Sequence, residues 1–307
     1  MNNGTMNKAI ITGINGFVGS SLADYLSKHD WLVAGLTRQE SDGRDWVVTT
    51  NYEPANLARI IKDTKPSVII HAAGSSSVND SITSPSTDFS KSVLLFQNIL
   101  EGVRLSQEKP LIVYLSSAAV YGNPERLPVR ETDSVNPISP YGYNKLICEL
   151  LASEYAQCYS IPILAVRLFS IIGPKQKKLL VWELFRQFED SDNVVIEGTG
   201  EESRDYIYVD DLAEVLRLMI TKMDCSFKVV NVASGKDITV HEIVYLMKEL
   251  LDSKKSIDFL GKSRQGHPLK WCADVGEMKR IVGDSALPDF RLRLEELLNI
   301  WKTQGLN

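Results

Sequence analysis

The sequence predicts an α/β protein in which a parallel sheet is covered by helices on both faces and is followed by a smaller mixed α/β lobe. Three observations carry this. Apolar runs alternate with amphipathic stretches through the first half of the chain. A glycine run, Gly13, Gly16 and Gly19, stands between the first apolar run and the first amphipathic stretch. After Gly173-Pro174 the alternation lapses, so the chain is expected to leave the sheet there.

The strands are expected at Ala9–Ile11, Leu32–Leu36, Trp46–Val48, Val68–Ile70, Leu111–Leu115 and Ile163–Val166. Helical spacing of apolar residues places helices between them at Phe17–Lys28, Asn56–Asp63, Asp88–Leu105 and Tyr141–Tyr159. Gly122-Asn123-Pro124, Asn136-Pro137 and Gly173-Pro174 mark loops. Beyond them, helical periodicity returns at Val181–Phe188, Asp211–Met219, Val240–Leu251 and Leu292–Trp301, and Val229–Asn231 reads as a strand returning to the large sheet. The chain divides into 1–168 for one lobe, with a return segment at about 206–234, and 169–205 plus 235–307 for the other. A cleft between lobes is the natural ligand site.

At 307 residues, 44% hydrophobic and 24% charged, the chain is long enough for a substantial core and has an ordinary globular composition. A net charge of -5 gives no general attraction for nucleic acid or an anionic membrane, so neither is an expected partner. Cys148, Cys158, Cys225 and Cys272 lie outside C-x-x-C spacing and outside any metal-ligand cluster, which predicts reduced thiols and no metal. Met1 to Lys8 runs straight into the first strand without an apolar leader, and no segment reaches about 18 consecutive apolar residues. A cytoplasmic protein is expected.

Chemistry gathers at Tyr141 and Lys145, a Tyr-x-x-x-Lys pair opened by Ser139-Pro140. With Pro140 at the start of a helix, the two side chains share one face. A free phenol, with a pKa near 10, exchanges protons poorly at neutral pH, and a neighbouring ammonium together with an oxidised nicotinamide favours its phenolate. Ser117 upstream supplies a hydroxyl to orient a substrate oxygen. The segment from Ile10 to Gly19 reads as a strand, a G-x-x-G-x-x-G turn and a helix, and its Gly13, Asn15, Gly16, Phe17, Val18 and Gly19 are candidates to hold a dinucleotide diphosphate.

These motifs resemble the extended short-chain dehydrogenase/reductase family, the nucleotide-sugar epimerases, dehydratases and ketoreductases. The likeness continues in His71-Ala72-Ala73-Gly74, in the segment from Ser116 to Gly122, in Ser139-Pro140-Tyr141-Gly142-Tyr143-Asn144-Lys145, in the segment from Arg167 to Pro174, and in Gly198-Thr199-Gly200 followed by Arg204 to Asp211. It implies a Rossmann-like doubly wound sheet that binds NAD or NADP and a carboxy-terminal lobe for a nucleoside-diphosphate sugar. It implies Ser117, Tyr141 and Lys145 as catalytic residues, with the glycine turn, Ala72, Ala73, Gly74, Tyr141 and Lys145 at the cofactor and Ser170, Arg204 and Arg264 at the sugar nucleotide.

The departures from the family pattern guide the finer reading. Thr37 stands where relatives carry the ribose-binding acid, and Arg38 follows, which favours NADP(H) and leaves NAD(H) possible. Thr50 and Ser92 replace an Asp and an Asn of relatives, which fits an exchangeable cofactor. Ser170 replaces a common Asn, and His267 a common Asp. Ala118 and Ala119 replace the Asp-Glu pair of 4,6-dehydratases, so dehydration is not expected; no Cys lies near Ser117, and His71 reads as a packed residue. The expected function is an NADPH-dependent 4-ketoreductase of a 4-keto-6-deoxyhexose. An NAD-dependent 4-epimerase is the alternative, and a non-catalytic dinucleotide-binding regulator the reading from another class. A homodimer is expected through Val93, Leu94, Phe96, Ile99 and Leu100 on one helix and Leu146, Leu150 and Tyr155 on another, positions equally compatible with core packing.

Overall fold

The computed structural model describes residues 7–39, 46–223, 226–261, 269–284 and 287–305. Its centre is a seven-stranded sheet in which every neighbouring pair is parallel. The strands are β1 (Lys8–Thr12), β2 (Leu32–Thr37), β3 (Val47–Thr49), β4 (Val68–His71), β5 (Leu111–Ser117), β6 (Ile163–Leu168) and, after the excursion into the second lobe, β10 (Phe227–Val232). Their spatial order, β3-β2-β1-β4-β5-β6-β10, reverses direction between β1 and β4. Connections leave opposite faces of the sheet at that point and open a crevice at the carboxyl ends of these two strands. Thr12 and His71 are register partners there.

Burial on both faces explains why these strands read as unbroken apolar runs. Ile11, Ile70, Val113 and Val166 project into a core shared with α1 (Phe17–Lys28), α8 (Val209–Lys222) and α10 (Gly276–Val282). Their neighbours Ile10, Ile69, Ile112 and Ala165 project into a second core with α2 (Pro54–Thr64), α5 (Leu95–Ser106) and α6 (Pro140–Tyr159). One residue of strand advance switches faces, so each strand feeds both cores.

The expected helix at Asp88–Leu105 is interrupted. The structure has α3 (Val78–Thr83), α4 (Pro85–Phe89), one π-helical turn at Ser90–Leu94, and then α5. The added residue in the π turn brings Ser92 under the β4 loop, where its Oγ accepts the Ser75 N–H at 3.4 Å. Of the apolar positions weighed for a dimer face, Val93, Phe96, Ile99, Leu100 and Tyr155 are core residues against the sheet, whereas Leu94 and Leu150 are exposed. Val229–Asn231 does return to the large sheet, beside β6.

The second lobe holds a three-stranded sheet of β7 (Ser170–Ile172), β9 (Ser203–Tyr208) and β11 (Asp237–Thr239), and a pair formed by β8 (Val194–Ile196) with β12 (Ile257–Phe259). Its core packs α7 (Leu180–Asp190), α9 (Val240–Leu250) and α11 (Phe290–Gln304) around Trp182, Phe185 and Trp301. Helix α9 starts in a capping box in which Thr239 and Glu242 satisfy each other's backbone donors. Strand β9 then delivers the chain to α8, so the large-lobe core also contains Ile207, Leu212 and Leu216.

Candidate active site

The crevice between β1 and β4 is lined first by the glycine turn. Gly13 has φ +70°, and a Cβ there would lie 2.7 Å from the Ala73 Cα, so β1 and β4 loops pass backbone to backbone. A Cβ on Gly19 would overlap the Gly13 carbonyl oxygen. Gly16 caps α1 without a side-chain hydrogen bond, and the first turn carries no acid. The positive end of the helix therefore meets the crevice with no acid in its own first turn, which suits a diphosphate.

The adenosine end of such a ligand would lie at the end of β2. There Asn15 Nδ2 donates to Thr37 Oγ1 (3.2 Å) and Gln39 Oε1 (3.1 Å). Arg38 holds its guanidinium 5.5 Å over the ring of Tyr52. The Tyr52 hydroxyl donates to the Leu36 carbonyl at 2.8 Å, and burial pushes that phenol up to about 12. Thr50 is buried and accepts the Tyr52 N–H at 3.2 Å, so it braces the platform under Arg38. Residues 37–39 offer hydroxyl, guanidinium and amide groups and no carboxylate.

Beyond the glycines, Thr12 Oγ1 and His71 Nδ1 share a 2.8 Å hydrogen bond, and the same oxygen accepts the Ala73 N–H at 3.2 Å. His71 stacks on Phe96 and Tyr114. Burial, and then the Lys145 charge, pull His71 down to about 3, so the ring is neutral and serves packing, as the sequence suggested. Ala72, Ala73 and Gly74 thus form the floor next to the crevice, with Gly74 at φ +137°.

Ser117 ends β5 and caps one turn of 3-10 helix, Ala118–Tyr121; its Oγ accepts the Ala119 N–H at 3.1 Å. Helix α6 begins at Pro140 because Ser139 caps it, accepting the Gly142 N–H, a bond type whose loss costs about 1 kcal/mol. Gly142 lets that first turn press onto the 3-10 turn, since a Cβ there would lie 2.6 Å from the Ala119 oxygen. The Tyr141 side chain packs on the cluster containing Ala118 and Ala119, and its backbone N–H donates to Ser81 Oγ at 3.1 Å. Lys145 is buried, donates to the Leu115 carbonyl at 2.8 Å, and sits 5.6 Å from the centre of the Tyr141 ring. The structure therefore brings Ser117, Tyr141 and Lys145 together at the carboxyl end of β5. Ala118 and Ala119 are buried beside them and move no proton.

On the second-lobe side, Ser170 opens β7 opposite Tyr206 and is half-buried. Arg204 on β9 donates Nη1 to the carbonyls of Ser203 (2.7 Å) and Leu269 (3.2 Å), and burial lowers its pKa from the ordinary arginine value. Its neighbour Asp205 points the other way and accepts from Ser234 N and Oγ, Gly235 N and Ala273 N. Burial raises Asp205 to about 6 against those four donors, and its task is to fasten loops. Arg264 and His267 lie outside the described residues. Lys175 is in an exposed ion pair with Asp24.

The model of the NAD dependent epimerase/dehydratase family matches residues 9–233, from β1 through the end of β10. The chain belongs to this family. A putative UDP-glucose 4-epimerase of Methanocaldococcus jannaschii is 27% identical over 285 residues, covering 90% of this chain and 89% of that protein. Among solved structures, MoeE5 in complex with UDP-glucose and NAD superposes with a TM-score of 0.88 at 26% identity, covering 97% of this chain and 99% of the other. The UDP-N-acetylglucosamine 4-epimerase from Methanobrevibacter ruminantium M1, solved with UDP-N-acetylmuramic acid, gives 0.87 at 25% identity, covering 98% and 99%.

For an NAD-dependent epimerase/dehydratase, the fold, the enzyme class and the extended short-chain dehydrogenase/reductase resemblance drawn from the motifs all hold. The residues of this family member that sequence reasoning missed are Tyr52, Ser81 and Trp271. Tyr52 and Ser81 stand in no motif, and each reaches the site through a tertiary contact with Arg38 or Tyr141. Trp271, whose ring lies 5.1 Å from the guanidinium carbon of Arg204, had one usable signal, a large aromatic in the short stretch after Pro268.

Proposed function

We propose that this enzyme interconverts the C4 epimers of a nucleoside-diphosphate sugar, with UDP-hexoses as the substrate class. The observation that carries the reading is the single proton-transfer group at the end of β5: Tyr141, with Lys145 beside it and two alanines after Ser117. Inversion at C4 needs one acid/base used in both directions, whereas dehydration needs further proton carriers on that turn. A ketoreductase would use the same single group, and it is the 4-epimerase names among the relatives and solved neighbours that support epimerisation over the ketoreductase that the sequence favoured.

A bound nicotinamide supplies hydride exchange with the sugar carbon. In this reading Gly13, Asn15, Gly16, Phe17, Val18 and Gly19 hold the dinucleotide diphosphate, and Ala72, Ala73 and Gly74 border the nicotinamide half. Ser117 orients the 4-oxygen, Tyr141 takes its proton during oxidation, and Tyr141 returns one after the keto sugar has turned over. Lys145 places a positive charge beside the phenolate so formed. Ser170 and Arg204 serve the sugar and its diphosphate. The exposed Leu94, Tyr143 and Leu150 on the surface of α6 and its neighbour are the face of a homodimer.

The second reading, an NADPH-dependent 4-ketoreductase, is favoured by one observation. Thr37, Arg38 and Gln39 present no carboxylate to repel a ribose 2′-phosphate, and Arg38 is braced over Tyr52. Denaturing the purified protein and identifying what it releases separates the two. About one NAD per chain, with interconversion of UDP-hexoses and no net change in cofactor absorbance, is the expected result. An empty protein that consumes NADPH in step with a 4-keto sugar nucleotide selects the reductase.

A further inference from the structure

The segment from Leu269 to Asp274 threads between the lobes and is held on both sides. Ser203 N donates to the Leu269 carbonyl (3.0 Å) and Trp271 N to the Ser203 carbonyl (3.2 Å). From the large-lobe side, Val129 N donates to the Cys272 carbonyl (2.8 Å) and Asp274 N to the Val129 carbonyl (2.9 Å). Asp205, with no exposed surface, fastens the same segment through Ala273 N.

The Trp271 side chain is fixed as firmly as its backbone. It is 9% exposed, its Nε1 donates to the Gly122 carbonyl at 3.0 Å, and its ring meets Phe169 in a T-shaped contact with centroids 6.2 Å apart. One face of the indole lies 5.1 Å from the guanidinium carbon of Arg204. Two carbonyls accept from Nη1 of that arginine, and the indole beneath it fixes the plane of the guanidinium.

A guanidinium recognises phosphate through N–H groups that lie in one plane, and an arginine already stacked loses less rotamer freedom when the anion arrives. We propose that Trp271 is a positioning residue that presets Arg204 for the diphosphate of the sugar nucleotide. This rests on the nucleoside-diphosphate-sugar reading given above. It predicts that Trp271 matters for the nucleotide part of the substrate, does not matter for the dinucleotide, and acts through Arg204.

The test is a double-mutant cycle on the full-length protein, with UDP as the probe and calorimetry as the readout. Trp271→Leu is expected to weaken UDP binding about tenfold when Arg204 is present and less than about twofold in an Arg204→Ala background. Trp271→Phe, which keeps an aromatic face, is expected to restore UDP affinity to within about threefold of the parent. NAD affinity is expected to stay within about twofold throughout, and KM for the UDP-sugar to rise with kcat nearly unchanged. Equal losses from Trp271→Leu in both backgrounds, or no loss when Arg204 is present, overturn the inference. Should the leucine variant not fold, Arg204→Lys decides: it keeps the charge without the flat stack, and parental UDP affinity in that variant overturns the inference too. A parent protein that does not bind UDP removes the nucleotide-sugar reading itself, whereas an Arg204→Ala variant that binds UDP as well as the parent overturns the inference and leaves that reading standing.

Discussion

At the scale of single residues, the proposed mechanism separates groups that move protons from groups that hold them in place. The Tyr141 ring packs on the cluster of Ala118 and Ala119, so removing only its hydroxyl leaves the packing intact. Tyr141→Phe is expected to lower kcat by about 10²–10⁴-fold while the unfolding midpoint stays near that of the parent, as followed by epimer formation and circular dichroism. His71 behaves in the opposite way. Its folded pKa, about 3, lies below the usual histidine value of 6.5, so the unfolded chain binds the extra proton between those values. The neutral ring's contribution is complete above pH 6.5 and is lost as pH falls toward 3, by at most about 1.4 kcal/mol per pH unit. Urea denaturation of the parent and of His71→Gln is therefore expected to show a stability gap that narrows from pH 6.5 to pH 5. A gap that does not change with pH contradicts a neutral buried imidazole.

At the scale of elements, α6 is tied to the sheet by a buried ion pair. Arg167 on β6 donates Nε and Nη2 to the two oxygens of Glu149 (3.0 and 2.7 Å), and Ser116 Oγ donates to the same carboxylate at 2.6 Å. Arg167 also donates to the Tyr121 hydroxyl at 2.9 Å, so the pair joins β5, β6, α6 and the 3-10 turn. Removing one member strands the other charge in a dry interior. Arg167→Met is expected to cost about 3–5 kcal/mol by chemical denaturation, and Arg167→Met with Glu149→Leu to cost less than the single change. A single change within about 0.5 kcal/mol of the parent contradicts the account.

The same elements show what was legible. Parallel strands buried on both faces announce themselves as apolar runs, and the Tyr-x-x-x-Lys and glycine spacings are local, so both were readable. β7, β8, β11 and β12 are three residues each, too short to show a period. The π turn at Ser90–Leu94 adds one residue to a helical pattern and leaves its apolar spacing almost unchanged. Trp271 and Tyr52 reach the site only through the folded chain. Thr37, Arg38 and Ser92, each taken alone, favour a ketoreductase, whereas the whole-chain likeness weighs toward epimerases.

At the scale of the whole molecule, two lobes meet over a crevice set by sheet topology, and one surface carries exposed apolar side chains that the lobes do not cover. Leu150 is 64% exposed and Tyr143 52%, both on α6, while no described helix is long and apolar enough to cross a membrane. The proposed occupant of that face is a second copy of the chain. Sedimentation is expected to give a dimer for the parent and a monomer for Leu150→Glu with Tyr143→Glu; a monomer in both removes the assignment. In the proposed mechanism one phenol, Tyr141, serves oxidation and reduction at the same sugar carbon. Its most direct test is NMR of UDP-glucose carrying deuterium at C4 after incubation with the enzyme. The expected product is the C4 epimer with its deuterium retained, formed about 10²–10⁴-fold more slowly by Tyr141→Phe; an epimer formed by that variant at the parental rate, or one that has exchanged its deuterium with solvent, contradicts the proposed mechanism.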